Sequence, residues 1–184
     1  MSFRVLVIPE DPTNNGYILR PLAEKMFAEI GRPNASVIVL TNPRLDGYHC
    51  AVQAIKSELG ERYGHFDLWL FLPDADKAAN LDGLEHALEG KGIYLKCCAA
   101  QPEIEAWLLA GHRQHLNLAW SEIRAHPMLK EEVFEPFLLA YGNSRSPGRG
   151  RESLMKETLS NYRGLLELCP ELKELDKRLR KLLG

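Results

Sequence analysis

The chain has almost no net charge. Its 23 lysines and arginines stand against 25 aspartates and glutamates, a formal balance of −2 over 184 residues. A global positive field that draws in nucleic acid is therefore excluded, and any hold on a polyanion has to come from a local basic patch. Long hydrophobic runs are missing too: stretches such as Leu68 to Leu72 fall far short of the ~18 residues a membrane span requires. Phe3 to Ile8 lacks the layout of a cleavable signal peptide, so a cytoplasmic protein without membrane contact is expected. Cysteine is sparse and unpatterned. Cys50, Cys97, Cys98 and Cys169 contain no C-x-x-C, which argues against both a disulfide framework and a zinc knuckle and leaves buried free thiols as the expectation. There is no G-x-x-x-x-G-K-[ST] loop, no glycine-rich dinucleotide turn after the first apolar segment, and no G-x-S-x-G elbow.

What is present is ordinary globular material, 45% hydrophobic and 26% charged, enough to bury a core without help. Phe3 to Ile8, Ser36 to Leu40, Phe66 to Leu72 and Ile93 to Cys98 are short, largely apolar and rich in β-branched or aromatic residues, as strands buried on both faces are. Between them, Ile18, Leu19, Leu22, Met26, Phe27 and Ile30 recur at helical spacing. Ala51, Val52, Ile55 and Leu59 do the same up to Gly60, and a short helix is expected near Leu81 to Leu88. The alternation βαβαβαβ predicts an α/β fold with a mostly parallel sheet of about four strands flanked by helices. From Pro102 the pattern turns helical, giving an α/β part over 1–110 and a helical extension over 111–184. Gly142 to Arg151 reads as a mobile loop, and Trp69, Trp107 and Trp120 read as core.

Ligands of open parallel sheets collect outside the carboxyl ends of the strands. Acids stand there repeatedly: Glu10 and Asp11 after the first strand, Asp74 and Asp76 after the third, Glu103 and Glu105 shortly after the fourth. Carboxylates held together raise one another's pKa unless a cation sits between them, and Mg²⁺ or Mn²⁺ is the hard cation such oxygens hold beside a phosphate. On an extended segment, Asp74 and Asp76 point the same way and can share a metal. Asp11 also suits the turn it forms with Pro12. Glu103 and Glu105 lie in the first turn of a helix, where the helix dipole favours any glutamate, and two residues apart they face different ways. The segment Asn143 to Arg151 carries Arg145, Arg149 and Arg151 with no acid among them, a candidate contact for a nucleic-acid backbone whose alternative is a plain solvated loop. His112 and His115 lack a third ligand and are expected to be a solvated pair.

Glu10 in Val7-Ile-Pro-Glu-Asp-Pro12, Asp74-Ala-Asp76 in Phe71-Leu-Pro-Asp-Ala-Asp-Lys77, and Gln101-Pro-Glu-Ile-Glu-Ala-Trp-Leu-Leu109 together resemble the TOPRIM fold. The last stretch is similar to the E-x-E-A-W segment of small stand-alone TOPRIM-like bacterial proteins related to OLD-family nucleases, often found in mobile or anti-phage gene clusters. The resemblance implies Mg²⁺-dependent (or Mn²⁺-dependent) phosphodiester cleavage. Glu10 would then be the general acid or base, Asp74 and Asp76 metal ligands, and Glu105 or Glu103 would complete the shell. DNA or RNA would be the substrate, and a protein from a neighbouring gene a further partner. Asp11 stands where the family often has glycine, and no topoisomerase-type tyrosine is identifiable, which favours a plain nuclease over strand passage. Two other readings are carried alongside: a non-catalytic nucleic-acid or partner-binding module, and a small metal-dependent glycosyl- or nucleotidyltransferase using the same Asp-x-Asp.

Overall fold

The structure, a computed structural model, describes residues 2–184. Four strands, β1 (Arg4–Pro9), β2 (Ser36–Val39), β3 (Leu68–Leu72) and β4 (Leu95–Cys97), form one sheet in the order β2-β1-β3-β4. All three pairings are parallel. The central strands β1 and β3 are apolar on both faces because both faces are covered. Val5, Val7, Leu68, Leu70 and Leu72 face one cluster with α1 (Gly16–Glu29) and the C-terminal helices. Leu6, Ile8, Trp69, Phe71, Leu95 and Cys97 face the other, made with α2 (Tyr48–Ser57), α3 (Leu59–Tyr63) and α4 (Leu81–Glu89). The second half adds α5 (Glu105–Leu109), α6 (Trp120–Arg124), α7 (Glu135–Tyr141), α8 (Arg151–Leu159), α9 (Tyr162–Leu168) and α10 (Pro170–Leu183). Residues of α5 to α10 share one continuous core with β1, β3 and α1, so the helical extension is packed as part of the sheet's own cover.

The chain leaves β1 toward β2 on one side and reaches β3 and β4 on the other. The order reverses between β1 and β3, and the carboxyl ends of these two strands flank that switch point, the crevice in which such sheets bind ligands.

Four sequence expectations change. The helix expected to close at Gly60 is followed at once by α3, because Leu59 is fully buried and starts a new turn. The segment up to Arg151 is an ordered turn rather than a free loop. Asn143 N–H donates to Arg149 O at 3.0 Å, Asn143 Oδ1 accepts from Arg145 N at 3.0 Å, and Pro147–Gly150 forms a 3₁₀ turn. Gly148, at φ +68°, lies so close to Tyr17 that an added Cβ would sit 2.4 Å from the ring, so only glycine lets the turn dock there. Arg151, which the sequence reading placed at the end of the loop, instead opens α8, a helix that buries Leu154, Met155, Thr158 and Leu159. Finally, His112 is not solvated: the 3₁₀ turn Ala110–His115 rolls it beneath α8, with Nε2 3.0 Å from Leu154 O and its ring against Phe137, while His115 remains exposed.

Trp69 and Trp107 are fully buried and Trp120 half-buried. Cys97, Cys98 and Cys169 are buried free thiols, whereas Cys50 is exposed. Among the described residues no helix is long and apolar enough to cross a membrane.

Candidate functional site

Glu10 is the residue after β1, and at 5% exposure its side chain is buried at the carboxyl end of the sheet. Oε2 accepts a hydrogen bond from Asp74 N–H at 3.2 Å, and Oε1 lies 3.5 Å from Lys77 Nζ. Glu10 thus ties the end of β1 to the chain leaving β3. Asp74 continues β3 through a single parallel bridge to Ala100, and its Oδ1 accepts from Ile104 N–H at 2.9 Å. That bond holds the entry to α5, whose first residue is Glu105, only 2% exposed. Three separate elements therefore deliver Glu10, Asp74 and Glu105 to one end of the sheet.

Burial and the nearby charges of Glu105, Glu10 and Glu103 push the Asp74 carboxyl up to about 7, against the bond from Ile104 N–H that favours its anion. Burial also raises Glu105, with Glu103 adding to it and Lys130 and Arg151 opposing. Glu103 is raised by burial as well, although its Oε2 accepts from Lys130 N–H at 3.0 Å. The glutamates thus face different ways, as their spacing predicts: Glu105 inward beside Asp74, Glu103 toward the turn that begins at Lys130. Lys77 is held protonated by Glu10 and Asp76.

Asp76 is not on an extended continuation of β3. The chain turns at Ala75, whose N–H donates to Ala100 O at 2.9 Å, and Asp76 is exposed on that turn. Asp11 serves its own turn, accepting from Thr13 N–H at 2.8 Å. Arg145 is exposed at the tip of the 143–150 segment. Arg149 and Arg151 both pair with Glu135, at 2.7 and 3.1 Å, and Arg151 is 1% exposed.

The oxygens of Glu10, Asp74 and Glu105 suit a hard divalent cation, and their mutual repulsion is what such a cation relieves. Among the described residues, however, no three histidine, cysteine, aspartate or glutamate side chains already stand in a metal-holding arrangement. Lys77 takes part of that role, with its ammonium against Glu10. Sequence reasoning passed over Lys77, although it directly follows the Asp-x-Asp. It also passed over Lys130, which is far away along the chain and gives no local signal. A surface cleft of about 620 Å³ between the 110–115 turn, α8 and α9 lies elsewhere, lined by Arg113, Gln114, Glu157, Asn161 and Glu167. Its charged residues Arg113, Glu157 and Glu167 are exposed, whereas the carboxylates at the ends of β1 and β3 are withdrawn from solvent and converge, which makes them the stronger candidate. No protein-family model matches the chain, and neither a curated protein nor a solved structure matches it.

Proposed function

We propose that the crevice between β1 and β3 is the site of a metal-dependent nuclease that cleaves phosphodiesters, as the TOPRIM-like motifs imply. The observation that carries this reading is the delivery of Glu10, Asp74 and Glu105 from three elements to one end of the sheet, where burial and the neighbouring carboxylates raise the Asp74 carboxyl to about 7. Asp74 and Glu105 would hold Mg²⁺ or Mn²⁺, with Asp76 and Glu103 adding negative charge nearby. The ion would polarise the phosphate and stabilise the leaving oxygen. Glu10, bonded to Asp74 N–H and beside Lys77, would handle the proton at the attacking or leaving oxygen. Lys77 and Lys130 supply positive charge close to the acids, and Arg145 and Arg149 offer it to the DNA or RNA backbone farther out.

The test is cleavage of single- and double-stranded DNA and of RNA with Mg²⁺ or Mn²⁺, comparing wild type with Glu10→Ala, Asp74→Ala and Asp76→Ala. Metal-dependent cleavage lost in Glu10→Ala and Asp74→Ala supports the reading; full activity in Asp74→Ala sinks it. A second reading is favoured by one contact. The Glu10–Lys77 pair gives the acids a cation of their own, as a non-catalytic module binding a nucleic acid or a partner protein would have. It predicts binding that is insensitive to EDTA, with no turnover.

A further inference from the structure

We propose that the cleft between the outer edge of β4 and the last turns of α10 is an anion site that takes a phosphate group, held by Lys96, Arg178 and Lys181. It stands apart from the acids at the ends of β1 and β3 and does not depend on their chemistry.

β4 is the last strand of the sheet, so its outward backbone groups have no neighbouring strand. At Cys97 two side chains take that strand's place. The Cys97 N–H donates to Glu85 Oε1 at 2.7 Å, and its carbonyl accepts from Arg178 Nη1 at 3.3 Å. The other terminal nitrogen of Arg178 donates to Glu85 Oε2 at 2.5 Å, so an ion pair closes the strand edge. Edge closure accounts for Glu85 and Arg178. It does not account for Lys96, whose Nζ lies 3.3 Å from the same Glu85 Oε2, nor for Lys181.

Those two cations leave positive charge in excess. Glu85 is buried and the side chains of Lys96 and Arg178 are only 23% and 30% exposed, so two cations share one carboxylate where water screens them poorly. Lys181 adds a third charge from the helix. Earlier on α10, Lys177 pairs with Glu174 and Arg180 pairs with Asp176, but Lys181 has Lys177 and Arg178 one turn behind it and no ion pair among the described residues. Like charges at that spacing repel. A helix C-terminus favours cations, which supports Lys181, whereas Lys96 comes from the sheet and gains nothing from it. Asp82 supports the Arg178 charge from α4 without lining the cleft, which leaves three cations against two acids.

The three cations converge on one space. A cleft of about 350 Å³ is lined by Lys96, Arg178, Lys181 and Leu182, with no acid on its wall. Arg178 is a planar fork held in place by Glu85 and Cys97 O, while Lys96 and Lys181 are point charges on flexible stems. A wall made of donors alone suits a ligand made of acceptors alone. Phosphate is such a group, with charge and acceptor oxygens on several sides.

Two sources carry that group, the backbone of a nucleic acid and a free phosphate or nucleotide, and the test has an arm for each. Both arms run in EDTA, so nothing that needs a divalent cation contributes. Inorganic phosphate is titrated against chloride at constant ionic strength and followed by amide NMR shifts, and a single-stranded oligonucleotide is titrated by fluorescence anisotropy over a salt series. The proteins are wild type, Lys96→Gln, Lys181→Gln and Lys177→Gln, the last an equal charge change on the same helix outside the cleft. Lys181 is exposed and unpaired, so the test stands even where Lys96→Gln disturbs the Glu85 contacts. Saturable phosphate shifts are expected at residues 95–97 and 178–182, lost in Lys96→Gln and Lys181→Gln and kept in Lys177→Gln. For a backbone, the same two variants are expected to weaken the oligonucleotide about fivefold at about 0.1 M salt and to lower the salt slope by about 0.7, the share of one phosphate on a single strand. Loss in the phosphate arm alone assigns the site to a free phosphate or nucleotide; loss in the oligonucleotide arm, with or without binding of free phosphate, assigns it to a backbone. No phosphate binding together with unchanged oligonucleotide affinity overturns the proposal. Shifts that chloride reproduces, or an equal loss in Lys177→Gln, overturn it as well, because they are the diffuse effect of net charge.

Discussion

Asp74 stands where the charges of Glu105, Glu10 and Glu103 are all felt, in a spot that is mostly buried, and its carboxyl is pushed from an ordinary 3.8 to about 7. A group that holds its proton more tightly folded than unfolded contributes stability that is complete below the unfolded value and disappears as pH rises through the folded one. At pH 8 the metal-free protein therefore carries an unwelcome charge there. Asp74→Asn keeps an oxygen for Ile104 N–H and removes that charge. Thermal unfolding in EDTA is expected to show the variant more stable than wild type by on the order of 2–4 kcal/mol at pH 8, with little difference at pH 4. A variant less stable than wild type at pH 8 would mean that the carboxylate is better compensated than its neighbours allow. Gly111 tests packing rather than charge. A Cβ there would lie 2.4 Å from Thr158 Oγ1 and 2.5 Å from the Thr158 backbone, which cannot swing away. Gly111→Ala is expected to destabilise the chain by about 1–3 kcal/mol in urea unfolding, as other overpacked cores do.

At the scale of elements, the first turn of α10 is tied to α5 and α6 through one carboxylate. Glu171 receives both terminal nitrogens of Arg124, at 2.7 and 2.6 Å, and the Trp107 indole N–H at 2.8 Å. It joins α10 to α6 and α5, and Glu171→Ala would leave a part-buried guanidinium and a buried indole N–H unpaired. A loss of about 2–4 kcal/mol is expected, read from denaturant unfolding, with Glu171→Gln losing less because it still accepts from Trp107. None of this network was legible beforehand, because it depends on side chains 47 and 64 positions apart. The strands were legible, because β1 and β3 are buried on both faces and leave a continuous apolar signature in Val5 to Ile8 and Leu68 to Leu72. With the strand order alternating as it does, Glu10 and Asp74 were legible as residues at strand ends. α8 was not: its inward side is Arg151, Leu154, Met155 and Thr158, so polar groups occupy two positions of the stripe that periodicity looks for. Arg151 looked solvated for the same reason, since its burial depends on Glu135 and Phe134 rather than on its neighbours in the chain.

At the scale of the whole molecule these groups pull stability in opposite directions along the pH axis. Glu171 is penalised by burial, but its bonds from Arg124 and Trp107 outweigh that and hold it below the usual carboxylate range. The stability it contributes is present above the unfolded value and lost as pH falls through the folded one. Asp74, Glu103 and Glu105 are all raised, so their contribution runs the other way and is lost as pH rises, over the window from about 3.8 to about 7 for Asp74. Metal-free protein is therefore expected to be most stable at mildly acidic pH, with Tm declining on both sides. A divalent cation in the crevice reverses only the alkaline limb: it favours the ionised carboxylates, so its stabilisation grows with pH through the range in which Asp74 gives up its proton. Tm profiles from pH 4 to 9, in EDTA and in millimolar Mg²⁺, are expected to superimpose at the acid end and to separate by several degrees above pH 7. The separation is expected to vanish in Asp74→Asn. Profiles that coincide at every pH would leave the acids compensated by the protein's own cations, Lys77 and Lys130 among them, the state of a binding module rather than of a metal-dependent enzyme.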